Sequence, residues 1–176
     1  VIIIRLLHPL TGWVLAPAMF LAPAVGLVSG TGGMAEAAVT FSCQVSTTAI
    51  AFGLYSPLNA NGDAAAGSWT VICHATGTGS ATVAGTLTLS TGFSGNYASR
   101  FMESGTNRLN YNIYLTPAYA QIIGNGTAGT YAPSATGTVT AGQAYEVTGT
   151  MYGYVPPAQD VAPGSYSDAI ILTVTY

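Results

Sequence analysis

The segment from Ser165 to Tyr176 reads SYSDAIILTVTY and puts Ile170, Leu172, Val174 and Tyr176 on one face of a strand of period two. A regular apolar strand with no partner beyond it carries a row of unpaired backbone donors and acceptors, and such an edge is a template for further backbone. The expectation is a sheet finished by strand addition. This places the candidate functional surface, Ile170, Leu172, Val174 and Tyr176, on an edge rather than in a pocket.

The same alternation runs through the rest of the chain. Val39, Phe41, Cys43 and Val45 share one face, as do Trp69, Val71 and Cys73, and Leu87 with Leu89. Leu109, Tyr111, Ile113 and Leu115 alternate with Arg108, Asn110, Asn112 and Tyr114. Tyr145, Val147, Gly149 and Met151 alternate with Glu146, Thr148 and Thr150. Each reads as a half-buried strand. Turn-rich stretches at 59–67, 90–96, 124–129 and 156–164 separate them, and no segment has helical periodicity. These features predict an all-β protein, an antiparallel β-sandwich of the immunoglobulin type.

Charged residues are 5% of the 176, lysine is absent, and the net charge is -3. Beyond Arg5 the only cations are Arg100 and Arg108, which excludes phosphate-driven binding of nucleic acid. The surface is instead expected to be uncharged Ser, Thr, Asn, Gln and Gly. Residues 1–37 read as an export signal peptide, with Arg5 and His8 ahead of an apolar run from Trp13 to Val28 and small residues in Ala35-Glu36-Ala37. Cleavage before Ala38 leaves one domain, 38–176; a second candidate site follows Ala24. In an exported chain Cys43 and Cys73 read as one disulfide, closing a loop of about 30 residues and contributing roughly 3 to 4 kcal/mol on chain-entropy grounds.

Catalytic chemistry has little to work with. The histidine, acids and arginines after residue 37 are His74, Asp63, Glu103, Glu146, Asp160, Asp168, Arg100 and Arg108, without a nucleophile elbow or a metal-ligand pattern. No enzyme activity, cofactor, metal or small-molecule substrate is expected. Gly124-Asn-Gly126-Thr-Ala-Gly129 matches a dinucleotide-binding spacing but lacks the surrounding βαβ pattern, so it reads as a turn. Asn125-Gly126-Thr127 is a formal glycosylation sequon in that turn. Tyr152, Tyr154 and Tyr166 are read as rings buried in the sandwich with their hydroxyls at the rim. Arg100 is expected to pair with Glu103.

The order of side chains resembles the spore coat protein U domain, the family that includes the archaic chaperone-usher pilus subunits. The residues that carry it are Cys43, Phe52-Gly53-x-Tyr55-x-Pro57, Gly67 leading to Val71 and Cys73, and Leu89-Ser90 leading through Gly92 and Tyr97 to Arg100 and Met102. Leu109-x-Tyr111-Asn112-x-Tyr114, Tyr152-Gly153, Pro156, Gln159, Gly164-x-Tyr166-x-Asp168 and Val174-x-Tyr176 continue it. Tyr154 and Ile123 depart from it, standing where arginine and tryptophan are frequent. The resemblance implies an incomplete immunoglobulin-like sandwich whose groove is filled first by a periplasmic chaperone strand and then by a neighbouring subunit's arm. It further implies an outer-membrane usher, a place at the cell surface, and a role in attachment or biofilm formation. Cleavage before Ala38 leaves a short arm, Ala38 to Ser42 with Val39 and Phe41 as its apolar residues, about 17 Å of extended chain. That length suits a tip-type domain that accepts a strand without donating one. The alternative is a self-sufficient secreted coat or carbohydrate-binding sandwich.

Overall fold

Strict alternation forces each strand to bury one face, and the fold satisfies this by stacking two sheets. The computed structural model describes residues 2–6 and 39–176. Its strands are β1 Ile2–Leu6, β2 Thr40–Thr47, β3 Asp63–Thr76, β4 Ser80–Leu89, β5 Phe101–Ser104, β6 Asn107–Asn110, β7 Asn112–Tyr114, β8 Ser134–Thr140, β9 Ala144–Val155 and β10 Asp168–Thr175. One sheet has the order β1-β10-β4-β8 and the other β2-β3-β9-β7, while β5 and β6 form a separate hairpin. The ladders are antiparallel except β1 on β10, which is parallel. The expected leader, including Ala35 to Ala37, lies outside the described residues apart from Ile2–Leu6.

Between the sheets, Val83, Leu87, Leu89, Val139, Ile170, Leu172 and Val174 meet Cys43, Val71, Cys73, Met151 and Val155. Each buried aliphatic side chain contributes about 1.5 to 3 kcal/mol. Cys43 and Cys73 face each other across the β2–β3 ladder and are joined as a disulfide. On the outer faces the surface is built from cross-strand hydroxyl pairs such as Thr40 with Thr76 (2.9 Å) and Ser80 with Thr140 (3.0 Å), as the charge-poor composition requires.

Three expectations are corrected. Residues 63–67, read as turn, are the start of β3: Ala64 and Ala66 lie opposite Tyr154 and Tyr152, so small side chains sit beside large ones. The run from Arg108 to Leu115 is not one strand. It breaks at Tyr111, with β6 pairing β5 and β7 pairing β9, because Tyr111 and Asn112 are both buried and Asn112 turns its amide to polar partners inside. Finally, Glu103 pairs with Arg108 (3.6 Å), not with Arg100, which lies fully buried.

Candidate functional site

The inward face of β10 is what the alternation predicted. Ile170 and Leu172 are fully buried and Val174 nearly so. On one side Leu172 to Thr175 pair with Leu89 to Thr86 of β4. Above Leu172 the ladder with β4 stops, and a polar assembly holds the strand instead. Ser90 donates its backbone N–H to the Ile171 carbonyl (2.9 Å), and its hydroxyl accepts from the Ile171 N–H (2.9 Å). One carboxylate oxygen of Asp168 accepts from the N–H groups of Phe93 (2.9 Å) and Ala169 (2.7 Å), the other from the Tyr111 hydroxyl (2.7 Å). Gly92 begins the short 3-10 turn Gly92–Ser94 with φ +67°, and any side chain there would run into the Asp168 carboxylate.

Arg100 backs this assembly. Its guanidinium donates to the Ser90 carbonyl from Nε (3.2 Å) and Nη2 (2.8 Å), to the Ile123 carbonyl (2.9 Å) and to Asn112 Oδ1 (2.7 Å). Asn112 in turn donates to the Tyr97 carbonyl (2.7 Å), and the Tyr97 ring lies under the guanidinium. A buried cation is tolerated only when its donors are taken up, and here neutral oxygens do most of that work. Burial lowers the Arg100 pKa, against the opposing influence of the nearby tyrosines and Asp168. Burial, then the Asp168 charge and hydrogen bond, push the Tyr111 phenol well above its ordinary value.

A pH dependence follows from Tyr111. The folded protein keeps the phenolic proton where an unfolded tyrosine loses it near pH 10, so above that pH the unfolded state binds fewer protons and stability falls. The slope is about 1.4 kcal/mol per pH unit for this group, and its contribution is fully present below pH 10. Urea unfolding between about pH 8 and pH 11 should show this decline, and Tyr111→Phe should make it shallower.

The outer edge of β10 is the candidate surface itself. Asp168 to Leu172 pair there with Ile2 to Leu6. Among the described residues nothing pairs with the outer edge of Thr173 to Thr175. A cavity of about 170 Å³ lies between the sheets on the β4 and β8 side of Val174, lined by Val83, Gly85 and Leu87 of β4, Pro133 to Ala135 at β8, Trp69, Val71, Tyr145, Val147, Val174, Tyr176 and the disulfide. That is the size of a space that admits a benzene-sized group. Tyr176 is 41% exposed, with its ring against Phe41 (5.8 Å) and its hydroxyl accepting from the Cys43 N–H (3.4 Å).

Of the residues singled out from sequence, Ile170, Leu172 and Val174 share the buried face, and Tyr176 caps its end. Val39 and Phe41 are not a free arm: Phe41 is built into β2 opposite Ala75, and Val39 directly precedes that strand. Tyr152 and Tyr154 lie on the outer face of β9, where Tyr154 stacks on Tyr119 (4.6 Å), and Tyr166 donates to the Ala162 carbonyl (2.6 Å). After the buried Gly124, residues 125–129 form an exposed turn in which Asn125 Oδ1 accepts from the N–H and hydroxyl of Thr127. What sequence reasoning missed is the Arg100–Ser90–Asp168 assembly. The available signal was an arginine and an aspartate next to apolar strands in a chain with almost no charge. Among the described residues no group of His, Cys, Asp and Glu is arranged to hold a metal ion.

The fold defines a class: all-β sandwiches of two sheets with one disulfide joining neighbouring strands. The chain belongs to the spore coat protein U domain family, which matches residues 32–173. That family is one of structural, pilus-type surface subunits. Among curated proteins nothing matches.

Proposed function

We propose that the protein is a secreted, non-enzymatic subunit of a bacterial surface fibre, assembled by donor-strand complementation at the outer edge of β10. Its partners are a periplasmic chaperone, an outer-membrane usher and neighbouring subunits, and its role is attachment or biofilm formation at the cell surface. In this reading residues 1–37 are removed on export, and the domain 38–176 is a tip-type acceptor.

One observation carries it. Among the described residues, the outer edge of β10 is paired by Ile2–Leu6 alone, a segment inside the expected leader. Loss of the leader would expose the outer backbone edge of Asp168 to Leu172. An added strand then gains main-chain hydrogen bonds, and its alternate apolar side chains, packing beside the buried face of β10, supply specificity.

A second reading also has its observation. Because Ile2–Leu6 belong to the same chain, a retained N-terminus would make this a self-sufficient coat or carbohydrate-binding protein. One comparison separates the two. Residues 38–176 should be aggregation-prone alone and should be rescued by a cognate chaperone or by an extended peptide of alternating apolar residues. At a peptide concentration 100 times its dissociation constant, the gain in stability should be about 2.7 kcal/mol. A soluble, monomeric 38–176 with the same melting temperature whether or not peptide is present would refute strand complementation.

A further inference from the structure

The outer face of the β2-β3-β9-β7 sheet carries four tyrosines that strand addition at β10 does not use. Tyr114 of β7 lies opposite Tyr152 of β9, and Tyr154 is the next residue of β9 on the same face. Tyr119, from the loop after β7, stacks on Tyr154 (4.6 Å) and meets Tyr114 edge-on (5.5 Å). Three segments thus build one aromatic patch.

The local backbone is bent to place these rings. The Leu115 N–H donates to the Gln121 carbonyl (2.9 Å) and closes the loop, and inside it the Tyr119 N–H donates to the Thr116 carbonyl (3.1 Å). Tyr119 has φ +53°, a left-handed conformation that bulky residues rarely adopt and that persists only where the surroundings hold it. Next to its stacking partner, any side chain at Gly62 would run into the Tyr154 ring and the Val155 carbonyl. Strain in one segment and bare backbone in another frame the same stacked pair.

Beside the rings the face drops to a floor of methyl groups. Ala64 and Ala66 of β3 lie opposite Tyr154 and Tyr152 and are exposed. The same face runs on through Ser68, Thr70, Thr150 and Thr148, so that Tyr154 to Thr148 spans about 20 Å. No charged residue stands on this stretch of the two strands, because Asp63 alternates to the inner face and His74 and Glu146 lie beyond it. Among the described residues, no protein group hydrogen-bonds the hydroxyls of Tyr114, Tyr119, Tyr152 or Tyr154.

These features select the partner. Both β3 and β9 are paired along both edges, so the face offers no backbone to another strand. An acidic polymer finds no cation on it, and a protein's bulky apolar anchor finds no pocket in a floor of alanines. What fits is a ligand with C–H faces to lie on the rings, hydroxyls to meet those of the tyrosines and threonines, and no charge. We infer that this shelf binds an uncharged polysaccharide chain. The inference rests on the attachment role proposed above, to which it gives a ligand and a place away from β10.

Affinity electrophoresis and isothermal titration calorimetry of the protein expressed from the full sequence test it, with hydroxyethylcellulose, dextran and mannan as neutral probes and alginate as the anionic one. At least one neutral probe should bind, and alginate should not. Tyr154→Ala and Tyr119→Ala should each weaken that binding about tenfold through loss of a ring. Because those changes also remove packing, Ala66→Arg is the second variant: it fills the exposed floor and should abolish binding with the melting temperature unchanged. Tyr131→Ser, at a partly exposed ring in another loop, should bind like the parent. Absence of binding to all three neutral probes, equal binding of alginate, undiminished binding by Ala66→Arg, or an equal loss in Tyr131→Ser would overturn the inference. So would self-association of the parent, seen by sedimentation, that Ala66→Arg abolishes while polysaccharide has no effect on it, since the face would then belong to a second copy. Polysaccharide binding that persists in a protein no chaperone captures would count against the fibre reading alone.

Discussion

Arg100→Ala should cost about 4 to 6 kcal/mol, enough to unfold many domains of this size. The substitution strands two acceptors, the carbonyls of Ser90 and Ile123, and leaves the Asn112 amide oxygen with only the Ile113 N–H (2.9 Å), in a region where Arg100 is 0% exposed. Each unsatisfied buried group costs roughly 1 to 3 kcal/mol, and the vacated volume adds a cavity term. Relief of the desolvation of the guanidinium offsets part of this, which is why the figure stays below the simple sum of its largest values. Arg100→Lys should recover only a fraction, because an ammonium lacks the planar fork that reaches Ser90, Ile123 and Asn112 together. The damage should travel to β10: Ser90 both accepts from Arg100 and holds Ile171, so freeing it loosens the strand where no β4 ladder supports it. Urea titration with intrinsic fluorescence gives the stability loss, and hydrogen exchange at Ile171 tests the route. A loss under about 1 kcal/mol would mean that water takes over the guanidinium's bonds.

Leu172→Asp should be comparably severe. Leu172 is 0% exposed and lies opposite Leu89, between Ile170 and Val174 on the buried face. A carboxylate there would be forced in among Leu89, Ile170 and Val174, so the protein either protonates it or opens, at a cost of about 4 to 5 kcal/mol. Val174→Asp separates folding from partner capture more cleanly. Val174 is 8% exposed and lines the cavity between the sheets, so a carboxylate there can reach water while spoiling the apolar face of β10. That variant should fold yet bind a chaperone or donor peptide about 100-fold more weakly, equivalent to about 2.7 kcal/mol. Thr173→Asp, on the opposite face of the same strand, should fold and bind like the parent. Normal fibre incorporation of Val174→Asp would remove this face from the account.

How much of this was legible in the chain depends on the range of the interaction involved. The buried face of β10, the facing of Cys43 with Cys73 and the faces of β2 and β9 are consequences of period two, a property of neighbours along the backbone. Even the near-absence of charge translated directly into a surface of paired hydroxyls. Where reading by alternation failed, burial was being decided by another part of the chain. Ala64 and Ala66 look like turn residues until Tyr154 and Tyr152 are seen opposite them. Tyr111 and Asn112 look like the two faces of one strand until Arg100 and Asp168 draw both inside.

The sequence alone thus determined an all-β sandwich with one disulfide, and which face of each long strand is apolar, because side-chain direction along a strand alternates whatever lies across from it. Only the tertiary structure decided what stands on either side of β10, that a buried arginine supports its upper half, and that Ile2–Leu6 lie along its outer edge. Those depend on hydrogen bonds and packing between segments far apart in the chain, and no local pattern encodes which distant group will arrive.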